Sequence, residues 1–239
     1  MSERMSRIIF VTGTGTDVGK TVVTRGVVRA LVNRGICVHA VKPVESGVPR
    51  IGGMPHPHDG TALIAAQKQG RSLSQTCRYM FEASVSPHLA AQMEGAEIDP
   101  VEIDTFLRQE TKGSDLLIVE GAGGLLVPLN STMLYVDFIA SLNCELLIIA
   151  PNILGTINNA LLTIEAARKR NVSILGVILN HGENDALKND EAISHFGEVP
   201  IIGTFPMMDN IDNDDTLADA AEQHLNLDVF LPWHHIASQ

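Results

Sequence analysis

Phe10-Val11-Thr12-Gly13-Thr14-Gly15-Thr16-Asp17-Val18-Gly19-Lys20-Thr21 decides how this chain is read. An apolar run, Ile8-Ile9-Phe10-Val11, leads into it and an amphipathic stretch follows. Strand, glycine-rich loop and helix in that order are the setting of a phosphate-binding loop. Glycines let successive backbone N–H groups turn inward on an anion, and the following helix adds its positive end. There the Lys20 ammonium reaches the β/γ-phosphates and the Thr21 hydroxyl ligates Mg²⁺. The loop is one residue longer than the usual form, because Thr14 stands where the first glycine is expected and Gly13 lies one position further out. A chance Gly-Lys-Thr in a surface turn is the competing reading, and the flanking strand and helix speak against it.

Outward from the loop, short β-branched runs recur at Cys37–Val41, Leu116–Val119, Leu146–Ile149, Ile174–Leu179 and Pro200–Ile202. Most are continuously apolar, as strands buried on both faces of a parallel sheet are. Between them, Val23, Val27, Ala30 and Leu31 recur at helical spacing before Gly35, a helix stop. Ile157, Ala160, Leu161 and Ile164 do the same ahead of Arg168, Lys169 and Arg170, cations suited to a helix C-terminus. The pattern predicts an α/β fold, a doubly wound, mostly parallel sheet of the P-loop NTPase type, with residues 1–239 as a single domain. Ligands of such sheets gather at the carboxyl ends of the strands. Ser46 to Gly60, rich in Gly and Pro, reads as a long loop off the second strand, and Asn184 to Glu198 as a polar surface helix with its turns. Leu217, Ala218 and Ala221 suggest one more surface helix, and Trp233-His234-His235 a terminal tail.

Composition narrows the function classes. At 239 residues and 45% hydrophobic content the chain can build one core of ordinary size. A net charge of −11 argues against a nucleic-acid surface. No apolar run approaches the ~20 residues of a membrane span. The start, Met1-Ser2-Glu3-Arg4, lacks an apolar secretory segment, and three widely separated cysteines suggest reduced thiols, so a cytoplasmic location is expected.

Candidate chemistry falls at strand ends. Lys42, closing the second strand in Lys42-Pro43-Val44-Glu45-Ser46-Gly47, suits neutralisation of a transferring phosphoryl group, or else snorkels at the surface. Glu120, at the tip of Leu116-Leu117-Ile118-Val119, matches an acidic strand-end residue that holds Mg²⁺, against the plainer reading of a solvated turn. The following Gly121-Ala122-Gly123-Gly124 would let backbone amides approach a phosphate or a base. Asp59 offers a second carboxylate for the same ion. His56-Pro57-His58-Asp59 also contains zinc-ligand types, although P-loop chemistry favours Mg²⁺ with oxygen ligands. Asn180 ends another strand, as a base contact or a turn former.

Taken together these motifs resemble the dethiobiotin synthetase family. The likeness runs from Phe10 to about Met208 and rests on Val11–Thr14 leading into Thr16–Thr21, Lys42-Pro43-Val44 with Ser46-Gly47, and Ser86-Pro87-His88. Val119–Gly124 with Pro128-Leu129, and Leu154-Gly155-Thr156-Ile157-Asn158, complete it. The family's loop is itself one residue longer than usual. The resemblance implies an ATP-dependent cyclo-ligase that closes a ureido ring on 7,8-diaminopelargonate with CO₂ and MgATP, giving dethiobiotin, ADP and phosphate. A carbamate and a carbamic–phosphoric anhydride would be the intermediates. It implies that Lys42, Lys20 and Thr16 are catalytic. It assigns Asp17, Val18, Gly19, Lys20, Thr21, Val22, Asp59, Glu120, Gly121, Ala122, Gly123, Asn180, His181, Pro206 and Met207 to the nucleotide. Ser46, Thr16 and Asn158 go to the substrate, and Thr21, Asp59 and Glu120 to Mg²⁺. It further implies a homodimer, with Gly155–Asn158 contributing to substrate binding across the interface, and neither nucleic acid nor membrane as partner. Three departures stand out. Asp17 replaces a common glutamate. His181 replaces an expected aspartate. Glu45 takes the place of a small residue, where, if it pointed inward, it would repel carbamate or bind an amine.

Two other P-loop classes compete. Partitioning or septum-positioning switch ATPases carry an additional lysine early in the loop, and Gly13 to Val18 contains none. A cobyrinate-type amidation enzyme would need a separate glutaminase domain. A ring-closing ligase for another substrate would show the same motifs.

Overall fold

In the computed structural model, which describes residues 6–68, 70–181 and 188–231, alternating strands and helices build one three-layer unit. The central sheet has six strands: β1 (Arg7–Gly13), β2 (Val38–Val41), β7 (Leu116–Gly124), β8 (Glu145–Pro151), β9 (Ser173–Asn180) and β10 (Ile201–Phe205). Their order is β10-β9-β8-β1-β7-β2, and every neighbouring pair is parallel. Each expected strand run is present. Alternation along a strand splits its side chains between two cores. In β1, Phe10 packs to one side and Ile9 and Val11 to the other.

The helices cover both faces. Leu31 and Val27 of α1 (Lys20–Asn33), Leu63 of α2 (His58–Gln67) and Leu217 of α8 (Asp214–His224) close one face. The other is closed by α3 (Pro87–Met93), α4 (Pro100–Glu110), α5 (Tyr135–Ser141), α6 (Thr156–Arg168) and α7 (Asn189–Gly197). The helix stop expected at Gly35 has a clear physical form. Gly35 takes φ +82°, its N–H donates to Val32, and the N–H of Ile36 reaches back to Leu31 at 3.1 Å. That pair of bonds satisfies the last carbonyls of α1.

Ser46 to Gly60 is not the single long loop its composition suggests. It holds the end of β3 (Val44–Ser46), a hairpin of β4 (Arg50–Ile51) and β5 (Met54–Pro55), and the start of α2. Gly52 and Gly53, both at positive φ, turn the hairpin, so the turn residues of a very short hairpin had the composition of a loop. Asp59 therefore stands in the first turn of a helix rather than on a Pro-rich loop. β3 itself pairs in parallel with β6 (Tyr79–Phe81) beside the main sheet. In the polar stretch from Asn184, α7 covers Asn189–Gly197, and residues 182–187 lie outside the described residues. α8 buries Leu217, Ala218 and Ala221 against the α1 side, while Trp233, His234 and His235 lie outside the described residues.

The edge strand β2 carries a buried imidazole. His39 Nδ1 lies 2.6 Å from the Glu110 carbonyl oxygen, to which it donates in the tautomer protonated there. Burial, reinforced by the Arg71 cation, lowers its pKa to about 4. The unfolded chain takes up that proton near an ordinary pH of ~6.5, so protons favour the unfolded state in between. The His39 contribution is complete above about pH 6.5 and is lost as pH falls towards 4. Thermal unfolding followed from pH 7.5 to 5 should show a falling Tm, and His39→Gln should remove part of that slope. An unchanged slope in the variant would remove His39 as its source.

Candidate active site

The phosphate-binding loop leaves β1 at Gly13 and is held by close backbone contacts. A Cβ on Gly13 would lie 2.6 Å from Val18 Cγ2 and 2.9 Å from the Gly15 carbonyl oxygen. Asp17 occupies the left-handed region at φ +55°, a conformation that a short acidic side chain tolerates. Gly19, at φ +86°, begins α1, and a Cβ there would meet Asn180 Nδ2 at 1.9 Å. Asn180 is buried at the end of β9 and its amide donates to the Val18 carbonyl at 2.9 Å. The side chain read as a base contact or turn former thus ties the phosphate loop to the sheet. Lys20 is buried and donates to the Gly15 carbonyl at 3.1 Å, curled over its own loop. Burial lowers its pKa, and the Glu120 carboxylate opposes that shift.

Beside the loop four polar side chains converge. Thr21 Oγ1 donates to Glu120 Oε1 at 2.7 Å, and Lys42 Nζ lies 3.0 Å from the same oxygen. Lys42 also forms an ion pair with Asp59. Sheet register brings these residues together: Glu120 pairs with Val11 across β7 and β1, and Val41, just before Lys42, pairs with Val119. Lys42 is only 6% exposed, which settles its position against the snorkelling alternative. Burial works to lower its pKa, but Glu120 and Asp59 outweigh it and hold the ammonium above the ordinary lysine value. Burial would raise Asp59, and Lys42 more than reverses that. Glu120 Oε2 is buried and has no hydrogen-bond partner among the described residues.

That orphaned oxygen bears on the metal. With the Thr21 hydroxyl and the Asp59 carboxylate it makes a set of hard oxygen donors at the phosphate end of the loop, and such a set fits Mg²⁺ shared with phosphates. The zinc-ligand types do not assemble. His56 and His58 are exposed, and among the described residues no group of three or more His, Cys, Asp or Glu side chains is arranged to hold a metal.

A cavity of about 700 Å³ opens over this cluster, with Thr16, Asp17, Gly19, Val22 and Ser46 in its wall. Ala122 and Gly123 line it too, whereas Gly121 is buried where a Cβ would lie 2.8 Å from the Phe10 ring. Ser84, Val85 and Val127 also face the cavity, and the sequence reading gave them no role. The only signal for Ser84 and Val85 is that they precede the quoted Ser86-Pro87-His88. Glu45 points inward and is buried, yet its carboxylate takes backbone N–H groups of α2 rather than standing free. At the end of β9, Asn180 pairs with Phe205, so Pro206 and the exposed Met207, expected as base contacts, follow directly beside it, and His181 is exposed at φ +66°. Asn158 is not brought into this wall. It is exposed on the first turn of α6, next to a smaller cavity of about 340 Å³ between Thr14–Thr16 and Asn159, Leu162 and Thr163.

A family model described as an AAA domain matches residues 7–215. The chain is 32% identical over 234 residues to an ATP-dependent dethiobiotin synthetase of Thermodesulfovibrio yellowstonii, covering 93% of this chain and 97% of that protein. It is 36% identical over 210 residues to the same enzyme of Halalkalibacterium halodurans, covering 86% of each. A third, from Bacillus subtilis strain 168, is 32% identical over 230 residues, covering 94% of this chain and 97% of that one. Among solved structures, a ParA family ATPase from Chlorobium tepidum superposes with a TM-score of 0.54 at 15% identity, covering 93% of this chain and 91% of that one. The MinC:MinD cell division protein complex of Aquifex aeolicus gives 0.54 at 14% identity, covering 98% of this chain and 96% of the matched one. At such identities the two structures bear on the fold alone.

The Asn180 geometry separates two roles. If the side chain acts through the loop, Asn180→Ala should weaken ATP and inorganic tripolyphosphate alike by about tenfold, the scale of one buried hydrogen bond. Titration calorimetry with both ligands decides it. A loss confined to ATP would make Asn180 a base reader instead.

Proposed function

The chain belongs to the ATP-dependent dethiobiotin synthetase family, and from that premise we propose that it closes the ureido ring of dethiobiotin. The substrates are 7,8-diaminopelargonate, CO₂ and ATP. The observation that carries the reading is the buried Lys42, set among Thr21, Asp59 and Glu120 where the phosphate loop meets the cavity.

The chemistry asks for that arrangement. One substrate amine takes up CO₂ as a carbamate, and a carbamate oxygen then attacks the γ-phosphorus as ADP departs. The second amine attacks the carbonyl of the resulting anhydride, closes the ring and expels phosphate. Carbamate and γ-phosphoryl are both anionic, so fixed cations must hold them together and spread the charge that develops. Lys42 faces the carbamate and the transferring group, with Lys20 on the nucleotide side. Thr16 and Ser46, both in the cavity wall, hydrogen-bond the carbamate and its substrate. Thr21, Asp59 and Glu120 would hold Mg²⁺, which would neutralise phosphate charge there. Asp17 to Val22 with Ala122 and Gly123 surround the nucleotide, Gly121 backs them from beneath against Phe10, and Asn180, His181, Pro206 and Met207 lie on the base side.

Asn158 joins the site through a second copy. The chain exposes Leu126 and Leu162 in the wall of the 340 Å³ cavity, and Ile153 and Leu154 just before α6, apolar side chains of the kind that dimer interfaces cover. Across such an interface the N-terminal turn of α6, Thr156 to Asn158, would meet the carboxylate of the diamine, an anion suited to a helix N-terminus. Residues 1–239 act as one ligase domain, and the reaction takes place in the cytoplasm. Among the described residues no helix is long and apolar enough to cross a membrane.

Phosphate release should require the diamine, with dethiobiotin, identified by mass, appearing in equal amount. Release indifferent to the diamine would leave a nucleotide site and discard the ligase. Lys20→Ala should cost on the order of 10² or more in kcat. Lys42→Ala should lower kcat far more than it weakens ATP binding. A lowered affinity at unchanged kcat would make Lys42 a nucleotide-binding residue only.

A further inference from the structure

Glu45 is assigned no role with nucleotide, carbamate or metal in this reading, yet it is 5% exposed in the cavity wall beside Lys42, Ser46 and Asp59. It sits on β3, in parallel register with Met80 of β6, one residue before Ser46. One of its carboxylate oxygens accepts the backbone N–H of Asp59 at 3.0 Å, and the other that of Gly60 at 2.9 Å. These donors lie in the first turn of α2, whose cap residue, Pro57, offers no side-chain acceptor. First-turn N–H groups have no partner within their own helix, and a carboxylate is the group that best satisfies them. Gly60 allows the close approach, since a Cβ there would lie 2.3 Å from Cys77 Sγ and 3.3 Å from Glu45 Oε2.

We propose that Glu45 is the positioning residue for Asp59. It caps α2 from a neighbouring strand and so fixes the backbone from which the Asp59 carboxylate is presented to Lys42 and to the metal. The proposal rests on the reading above that Asp59 serves Mg²⁺. Glu45 borders the cavity, but both of its carboxylate oxygens are taken by the α2 amides. Two donors need two acceptors, which a carboxylate has. Glutamine would satisfy one and set its own NH₂ against the other, and alanine would satisfy neither.

The test is calorimetric binding of the non-hydrolysable analogue AMP-PNP, once with Mg²⁺ and once with EDTA. The ratio of the two affinities reports the metal side of the site without any turnover. Glu45→Ala should lower that ratio about tenfold, the scale of losing an outer support of a metal ligand, and change the EDTA affinity by less than about twofold. Glu45→Gln should fall between, and it carries the same criterion if the alanine variant fails to fold. Asp59→Asn should remove the same part of the ratio, and adding Glu45→Ala to it should remove no more. A wild-type ratio in Glu45→Ala overturns the proposal, and so does an equal loss with and without metal, which marks a merely structural cap. Additive losses in the double variant overturn the path through Asp59. A wild-type protein indifferent to Mg²⁺ discards the metal reading itself, a result distinct from all of these.

Discussion

Lys42 carries its charge almost out of water, between Asp59 and Glu120, and the arrangement of this chain follows from keeping that charge paired. A buried ammonium without counter-charges would be expelled or neutralised, and removing one partner of such a group leaves the other stranded at a cost of several kcal/mol. The partners must therefore be held by elements that do not yield. Glu120 lies within β7, between β1 and β2 in the sheet, paired with Val11 of β1 and one residue after the Val119 that pairs with Val41 of β2. Asp59 stands in the first turn of α2, whose amide groups are bound by Glu45.

The same requirement explains why the polar residues collect at one edge of an apolar sheet. Inside the layers β1, β7 and β8 present almost only buried aliphatic and aromatic side chains, where an unpaired charge has no acceptable place. At their carboxyl ends the strands open into turns, and polar groups there have backbone amides, each other and solvent for partners. Thr21, at the start of α1, and Lys42, just past the end of β2, thus meet Glu120 of β7. Asn180 extends the pattern one strand further, using its amide to hold the Val18 carbonyl and with it the loop.

Much of this was legible in the sequence, and the part that was not has a common physical character. The six strands announced themselves because burial on both faces leaves almost no polar residue in the runs, His39 of β2 being the exception. The phosphate loop did so because its glycines, lysine and threonine are local in sequence. Lys42, Asp59 and Glu120 were legible as strand-end or loop candidates, but their meeting was not. It depends on pairing between Val11 and Glu120, residues more than a hundred positions apart. Asn180 was read as a base contact or a turn former, and its hydrogen bond to the Val18 carbonyl of the loop, set by tertiary packing, was not legible. The α2 helix escaped notice because its start is crowded by Pro57 and Gly60, and its cap comes from Glu45 on another element. Short-range signals name residues, and only the fold says which of them are neighbours.

A sheet of this kind with a phosphate loop is common to switch ATPases and to ligases, so the distinction lies in what stands beyond the γ-phosphate. A switch needs a surface that changes when the phosphate leaves. A ligase needs a fixed, walled space in which a second anion can be held beside the first. Here β3, backed by its partner β6, and the segment Ser84–Pro87 add a wall outside the main sheet, and the cavity that β3 and this segment help to bound is lined by Thr16, Ser46, Ser84 and Ser86, which bear hydroxyls, and by Lys42. Hydroxyl groups around a buried cation suit a small anion such as a carbamate, since they can donate to its oxygens without adding a competing charge. Glu45 sits in that same wall with both carboxylate oxygens held by the α2 amides and with the Lys42 ammonium as counter-charge, so the carboxylate that lies within the site is fixed and opposed by a cation.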